Sequence, residues 1–105
     1  MGRVWGIADS GIFLDSTNVV TGKNDYKNMF KNLMSITNVE INPPVPECVE
    51  EFPHNLEECM FASNLAPYIK APMFILQSLY DFWSIDHILG VQCISYSNGT
   101  LSKCD

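Results

Sequence analysis

Polar and apolar positions alternate between strand-like and helix-like periods along this chain, and the breaks between them divide it into five stretches. Arg3 to Ala8 reads as a short strand that runs into the turn-prone triplet Asp9-Ser10-Gly11. After a polar loop from Asp15 to Lys23, the residues Tyr26, Met29, Phe30, Leu33 and Met34 recur at helical spacing behind Asn24, a good N-cap. This predicts a helix of about three turns, halted before Asn42-Pro43-Pro44-Val45-Pro46, a rigid connector that continues neither regular structure. From Pro46 to Lys70 the chain is acidic and irregular, with a short helix expected near Asn55 and Glu58 as its capping partner. Ala71-Pro72 then opens an apolar strand, Met73 to Leu79, and a last short helix is expected from Ser84, as its cap, to Leu89, stopped by Gly90. Strand, crossover with a helix, strand and helix is the order of a parallel sheet, so the fold class is α/β.

This order places Asp81 at the carboxyl end of the second strand, and open α/β sheets keep their chemistry at that edge. By its residue type alone Asp81 also suits a cap or turn ahead of Ser84.

Charge and composition narrow the function classes. The 105 residues carry a formal charge of −6 with six Lys and Arg in all, which disfavours nucleic acid and gives no pull toward an anionic membrane. Lys23, Lys27 and Lys31 share helical spacing and read as the solvated face of the first helix. No apolar run nears the roughly 20 residues of a membrane span. Met1-Gly2-Arg3-Val4-Trp5 does not read as a signal peptide, and Gly6 stands where a myristoylation site needs Ser or Thr, so an internal start is expected. With 47% hydrophobic residues the chain is of globular composition.

The four cysteines fall in two similar spacings, Cys48 with Cys59 and Cys93 with Cys104, which fit two local disulfides, although three pairings are possible on paper. Free thiols are the alternative; zinc fits less well because no Cys-x-x-Cys or nearby histidine completes a ligand set. Asn98-Gly99-Thr100 is both a tight-turn sequence and a glycosylation sequon, and with paired cysteines it tilts the compartment toward the secretory pathway.

Three blocks, in order, carry a family likeness: Ala8-Asp9-Ser10-Gly11-Ile12-Phe13-Leu14-Asp15, Cys59-Met60-Phe61 and Tyr80-Asp81-Phe82-Trp83. The chain resembles, over nearly its whole length, the pectin acetylesterase / Notum family of serine carboxylesterases. The resemblance implies a partial α/β-hydrolase domain spanning residues 1–105, without the family's nucleophile segment or its downstream histidine segment. It also supports the local disulfide pairing, and it makes Asp81 the acid of a Ser-Asp-His triad.

The other members of the triad are not expected within the chain. Ser10 has Ala8 two residues before it, but the bulky Ile12 two after it spoils a nucleophile elbow. His54 lies in the acidic, Pro-flanked region, and His87 falls on a helix that would turn it away from Asp81, so neither takes the role of base. Asp9 and Asp15 raise the thought of paired glycosidase carboxylates, but a turn separates them and leaves their spacing undetermined. By resemblance Asp9 braces the wall of the site, Phe13 and Phe61 line an acyl pocket, and Trp83 with Phe82 neighbours the acid; as residues alone, all four aromatics are equally good core.

The expected activity is therefore carboxylic ester hydrolysis through an acyl-enzyme, with no metal or organic cofactor, by a segment inactive in isolation. The substrate implied is an acetylated polysaccharide or an acylated protein. A small secreted, disulfide-bonded binding module without catalysis is the alternative.

Overall fold

The computed structural model describes residues 2–38, 43, 45–93, 96–97 and 100–101. Two short strands, β1 (Gly6–Asp9) and β2 (Met73–Leu76), pair in parallel with Gly6 opposite Met73 and Asp9 opposite Leu76. The amide of Gly6 donates to the Pro72 carbonyl at 2.9 Å and that of Ser10 to the Leu76 carbonyl at 2.8 Å, so the pairing is closed at both ends. Both strands are shorter than their apolar runs. Pairing starts where Pro72, which has no N–H of its own, offers a carbonyl; beyond Leu76 the side chain of Gln77 takes over, accepting from the Ile12 amide at 3.1 Å.

The segment between the strands is mostly helical. Helix α1 (Asp25–Thr37) is capped by Asn24, whose side-chain oxygen accepts from the Lys27 amide at 3.0 Å, and it ends at Asn38 in the left-handed conformation, φ 52°. Its buried stripe is Tyr26, Phe30 and Met34, at spacings of four; Met29 and Leu33 lie on the exposed flank.

The expected connector ends sooner than its prolines suggest. Pro46 occupies the first turn of helix α2 (Pro46–Glu51), where its missing N–H costs nothing because that donor has no helical partner anyway. The region read as irregular then continues as a 3₁₀ turn (Leu56–Met60), helix α3 (Ala62–Leu65) and a second 3₁₀ turn (Ala66–Tyr68). Cys48 and Cys59 are bridged, tying α2 to the first of these turns. Asn55 and Glu58 form no capping pair: Asn55 makes no side-chain cap bond, and Glu58 turns instead to Lys27 and Asn64.

The last expected helix begins early. Its first residue is Phe82, it widens into a π-helical turn (Ser84–Ile88), and it stops before Gly90 at φ +69°. The core sits where these pieces meet α1: Tyr26, Phe30, Phe61 and Ile88 are buried together, with Phe13 and Met60 packed on them. Phe30 and Phe61 meet edge to face at 5.8 Å. A small hairpin, β3 (Tyr96–Ser97) with β4 (Thr100–Leu101), closes the described chain. Asn98 of the sequon and Cys104 lie outside the described residues.

The two-stranded sheet has little cover. Ile7 and its register partner Phe74 are 72% and 64% exposed. The other side forms an apolar groove of about 360 Å³ lined by Ala8, Met73 and Ile75 together with Leu65 and Met60. The observed unit is thus an α/β arrangement of two parallel strands with flanking helices.

Candidate active site

Because β1 and β2 are parallel, the loops that follow them leave from the same edge of the sheet. The β1 loop carries Ser10 and Phe13 and the β2 loop carries Asp81 and Trp83. These four residues, with Tyr26, Met29 and Phe30 from α1, line an open cleft of about 570 Å³. Phe13, Tyr26 and Trp83 face one another across it, with ring centroids 5.6 to 5.7 Å apart. Burial pushes the Tyr26 phenol above its ordinary pKa, so its hydroxyl stays protonated at neutral pH.

Asp81 is fixed by the helix it precedes. Its Oδ2 accepts from the Ser84 hydroxyl at 2.5 Å and from the Ser84 amide at 3.2 Å, while Oδ1 accepts from the Trp83 amide at 3.3 Å. The residue read as the helix cap, Ser84, is therefore buried inside the first turn, and Asp81 is the cap. The Ser84 hydroxyl, reinforced by the Ser84 and Trp83 amides, holds the Asp81 carboxyl below the usual carboxylate range. A carboxylate offers about four acceptor positions. With Oδ1 engaged by one long bond, Asp81 retains room for another donor.

The remaining sequence-predicted residues separate clearly. Asp9, the last residue of β1, is exposed. Phe61 is fully buried behind Phe30 and is not part of the cleft lining, whereas Phe13 and Trp83 are. Phe82 is 45% exposed.

His87 stacks on Trp83, centroids 4.6 Å apart and planes within 4°, and its Nδ1 lies 3.1 Å from the Trp83 carbonyl. A carbonyl only accepts, so that bond requires the proton on Nδ1 and directs this nitrogen to its own helix. His54 is exposed in a separate cleft with Lys31 and Glu57. Asp15 is not paired with Asp9; Lys27 and Asn24 hold it.

Lys27 differs from the solvated-face expectation. It is partly buried, its Nζ lies 2.8 Å from Asp15 and 2.5 Å from Glu58, and it sits 5.7 Å from the centroid of the Phe61 ring. Burial alone would lower its pKa, but the hydrogen bonds and charges of Asp15 and Glu58 outweigh that and hold it above the ordinary lysine value. Lys23 and Lys31 are exposed, as expected of a solvated face.

Ser10, set aside as a nucleophile because of Ile12, takes the left-handed conformation at φ 54° in its turn and borders the cleft beside Asp81. Its neighbour Gly11 advertised a turn but not which residue would take the left-handed conformation.

A fixed carboxylate beside an aromatic cleft thus stands at the carboxyl edge of a parallel sheet, the edge where open α/β sheets bind their ligands. The pectinacetylesterase family profile matches residues 1–105, and the chain belongs to that family. It is similar to Pectin acetylesterase 5 of Arabidopsis thaliana, 28% identical over 83 residues; the match covers 79% of this chain and 18% of that relative. No solved structure matches the chain.

Proposed function

We propose that this chain is the acid-bearing part of a serine carboxylic ester hydrolase of α/β-hydrolase fold, with Asp81 as the triad acid and the nucleophilic serine and the histidine supplied by chain outside these residues. The observation that carries this reading is the state of Asp81. It is ionised, fixed by Ser84 and Trp83, and placed at the cleft with an acceptor position to spare. A triad acid must do what such a group can do: accept the N–H of a histidine, hold one tautomer, and stabilise the imidazolium without taking the proton itself. Capping the helix does not compete with that role, because the cap bonds are what orient the carboxylate.

The rings of Phe13, Tyr26 and Trp83 form an apolar wall suited to the acyl part of an ester. The family favours an acetylated polysaccharide as substrate; an acylated protein is the second candidate. The Cys48–Cys59 bridge suits an oxidising, secretory compartment.

The binding-module alternative fares worse on the exposed sheet. Parallel sheets are ordinarily covered on both faces. Exposed Ile7 and Phe74 therefore suit a segment packed inside a larger domain better than an autonomous module.

The full-length protein should release nitrophenol from nitrophenyl acetate with a pre-steady-state burst and be blocked by a serine-directed phosphonate. Hydrolysis without a burst and insensitive to the phosphonate would overturn the mechanism. So would a titratable active serine in the isolated 105-residue chain.

A further inference from the structure

Lys27 joins two segments that build one side of the cleft, the β1 loop and α1, to the turn behind them. It projects from α1, which supplies Tyr26, Met29 and Phe30 to the lining. It binds Asp15, two residues beyond Phe13 on the β1 loop, and Glu58, on the turn that the Cys48–Cys59 bridge holds. The side chains of Lys27, Asp15 and Glu58 are only 24%, 29% and 19% exposed. Each carboxylate has a second anchor: Asn24, the cap of α1, donates to Asp15, and Asn64 donates to Glu58 at 2.9 Å.

We propose that Lys27 is a positioning residue that sets the width of the acyl side of the cleft, by holding the Phe13 loop and the Glu58 turn against α1. This rests on reading the cleft as the acyl site. Two carboxylates share one ammonium, so removing the ammonium leaves two partly buried negative charges close together with nothing between them. Their repulsion falls on the less constrained partner. Glu58 is on the disulfide-tied turn, whereas Asp15 is on an irregular loop, so the loop yields and carries Phe13 away from Tyr26 and Trp83. Lys70, by contrast, pairs with Glu47 at an exposed site away from the cleft and has no such leverage.

The test uses the full-length protein with Lys27→Met, Lys27→Arg and the control Lys70→Met. Two readouts are taken: nitrophenyl ester kinetics, and the ¹⁹F resonance of Trp83 in fluorotryptophan-labelled protein, assigned by Trp83→Phe. Lys27→Met should raise KM for the acetyl ester about tenfold with kcat within about twofold, the pattern of lost binding geometry rather than lost chemistry. It should also weaken the preference for acetyl over longer acyl esters and shift the Trp83 resonance. Lys27→Arg should restore all three, and Lys70→Met should change none.

If Lys27→Met does not fold, Asp15→Asn, which weakens the bond that ties the Phe13 loop to Lys27, should give the same changes in weaker form. A Trp83 resonance unmoved by Lys27→Met, or an unchanged KM in a protein that does hydrolyse the ester, overturns the proposal. A wild-type protein without esterase activity overturns the functional reading instead, and a Trp83 resonance that still shifts then upholds the positioning role by itself.

Discussion

Truncating Phe61 separates its observed place in the core from the pocket-lining role that the family resemblance suggests. The Phe61 side chain is fully buried, meets Phe30 edge to face at 5.8 Å, and lies beneath the Lys27 ammonium. Phe61→Ala would therefore remove a ring from a closed site and leave a cavity under α1, a change that costs about 3 to 5 kcal/mol. The Phe30 contact accounts for about 0.5 to 1.5 kcal/mol of that sum, being a geometric preference beyond simple burial. Phe13→Ala is the counterpart, since Phe13 is only partly buried and borders the cleft. Urea unfolding of the full-length protein, read beside ester hydrolysis, distinguishes the two. Phe61→Ala should lower the midpoint strongly while KM in the still-folded fraction stays near wild type; Phe13→Ala should move the midpoint less and KM more. The reasoning is refuted if Phe61→Ala leaves the midpoint in place and raises KM.

Two other substitutions probe the pieces around the site. Ser84→Ala removes the hydroxyl that does most to depress the Asp81 pKa. An aspartate whose folded pKa is lowered contributes stability above its ordinary range and loses it as pH falls through the depressed value. The stability difference between wild type and Ser84→Ala should thus be present at neutral pH and shrink as pH falls through the depressed value, and a difference that does not change with pH would mean that the hydroxyl does not tune Asp81. Replacing Cys48 and Cys59 by serine opens a short loop, a sequence separation of 11, and should cost up to about 3 kcal/mol in urea unfolding. An unchanged midpoint would show that the bridge does not constrain the unfolded chain.

The elements with a strong local signal were readable in advance. The Asn24 cap and the four-residue spacing of Tyr26, Phe30 and Met34 specify α1, and Gly90 stops the last helix with the positive φ that glycine tolerates. The edge position of Asp81 follows from the order of elements alone. What was not legible depends on neighbours distant in sequence. No local pattern shows that Lys27 would turn inward, because Asp15 and Glu58 reach it only after the loop and the disulfide-tied turn fold around α1. Phe61 and Phe13 look alike as isolated aromatics; depth behind Phe30 separates them. The helix that starts at Pro46 was not legible because proline breaks a helix interior but begins a helix well, while Asn42 and Pro44 of the expected connector lie outside the described residues. Asp81 was offered as either cap or catalytic acid, yet its bonds to Ser84 and Trp83 allow one carboxylate to serve both.

The proposed double role makes Asp81→Asn in the full-length protein the most direct measurement of the central claim. Asparagine caps a helix about as well as aspartate, so the fold is kept while the charge is lost. The account predicts a folded protein with a modestly lowered thermal midpoint, since one of the two accepting oxygens is lost, and a fall in kcat for ester hydrolysis of about 10⁴-fold, the loss expected when a triad acid becomes an amide. An Asp81→Asn protein that is folded and hydrolyses the ester at the wild-type rate would contradict it, leaving Asp81 as a helix cap and nothing more.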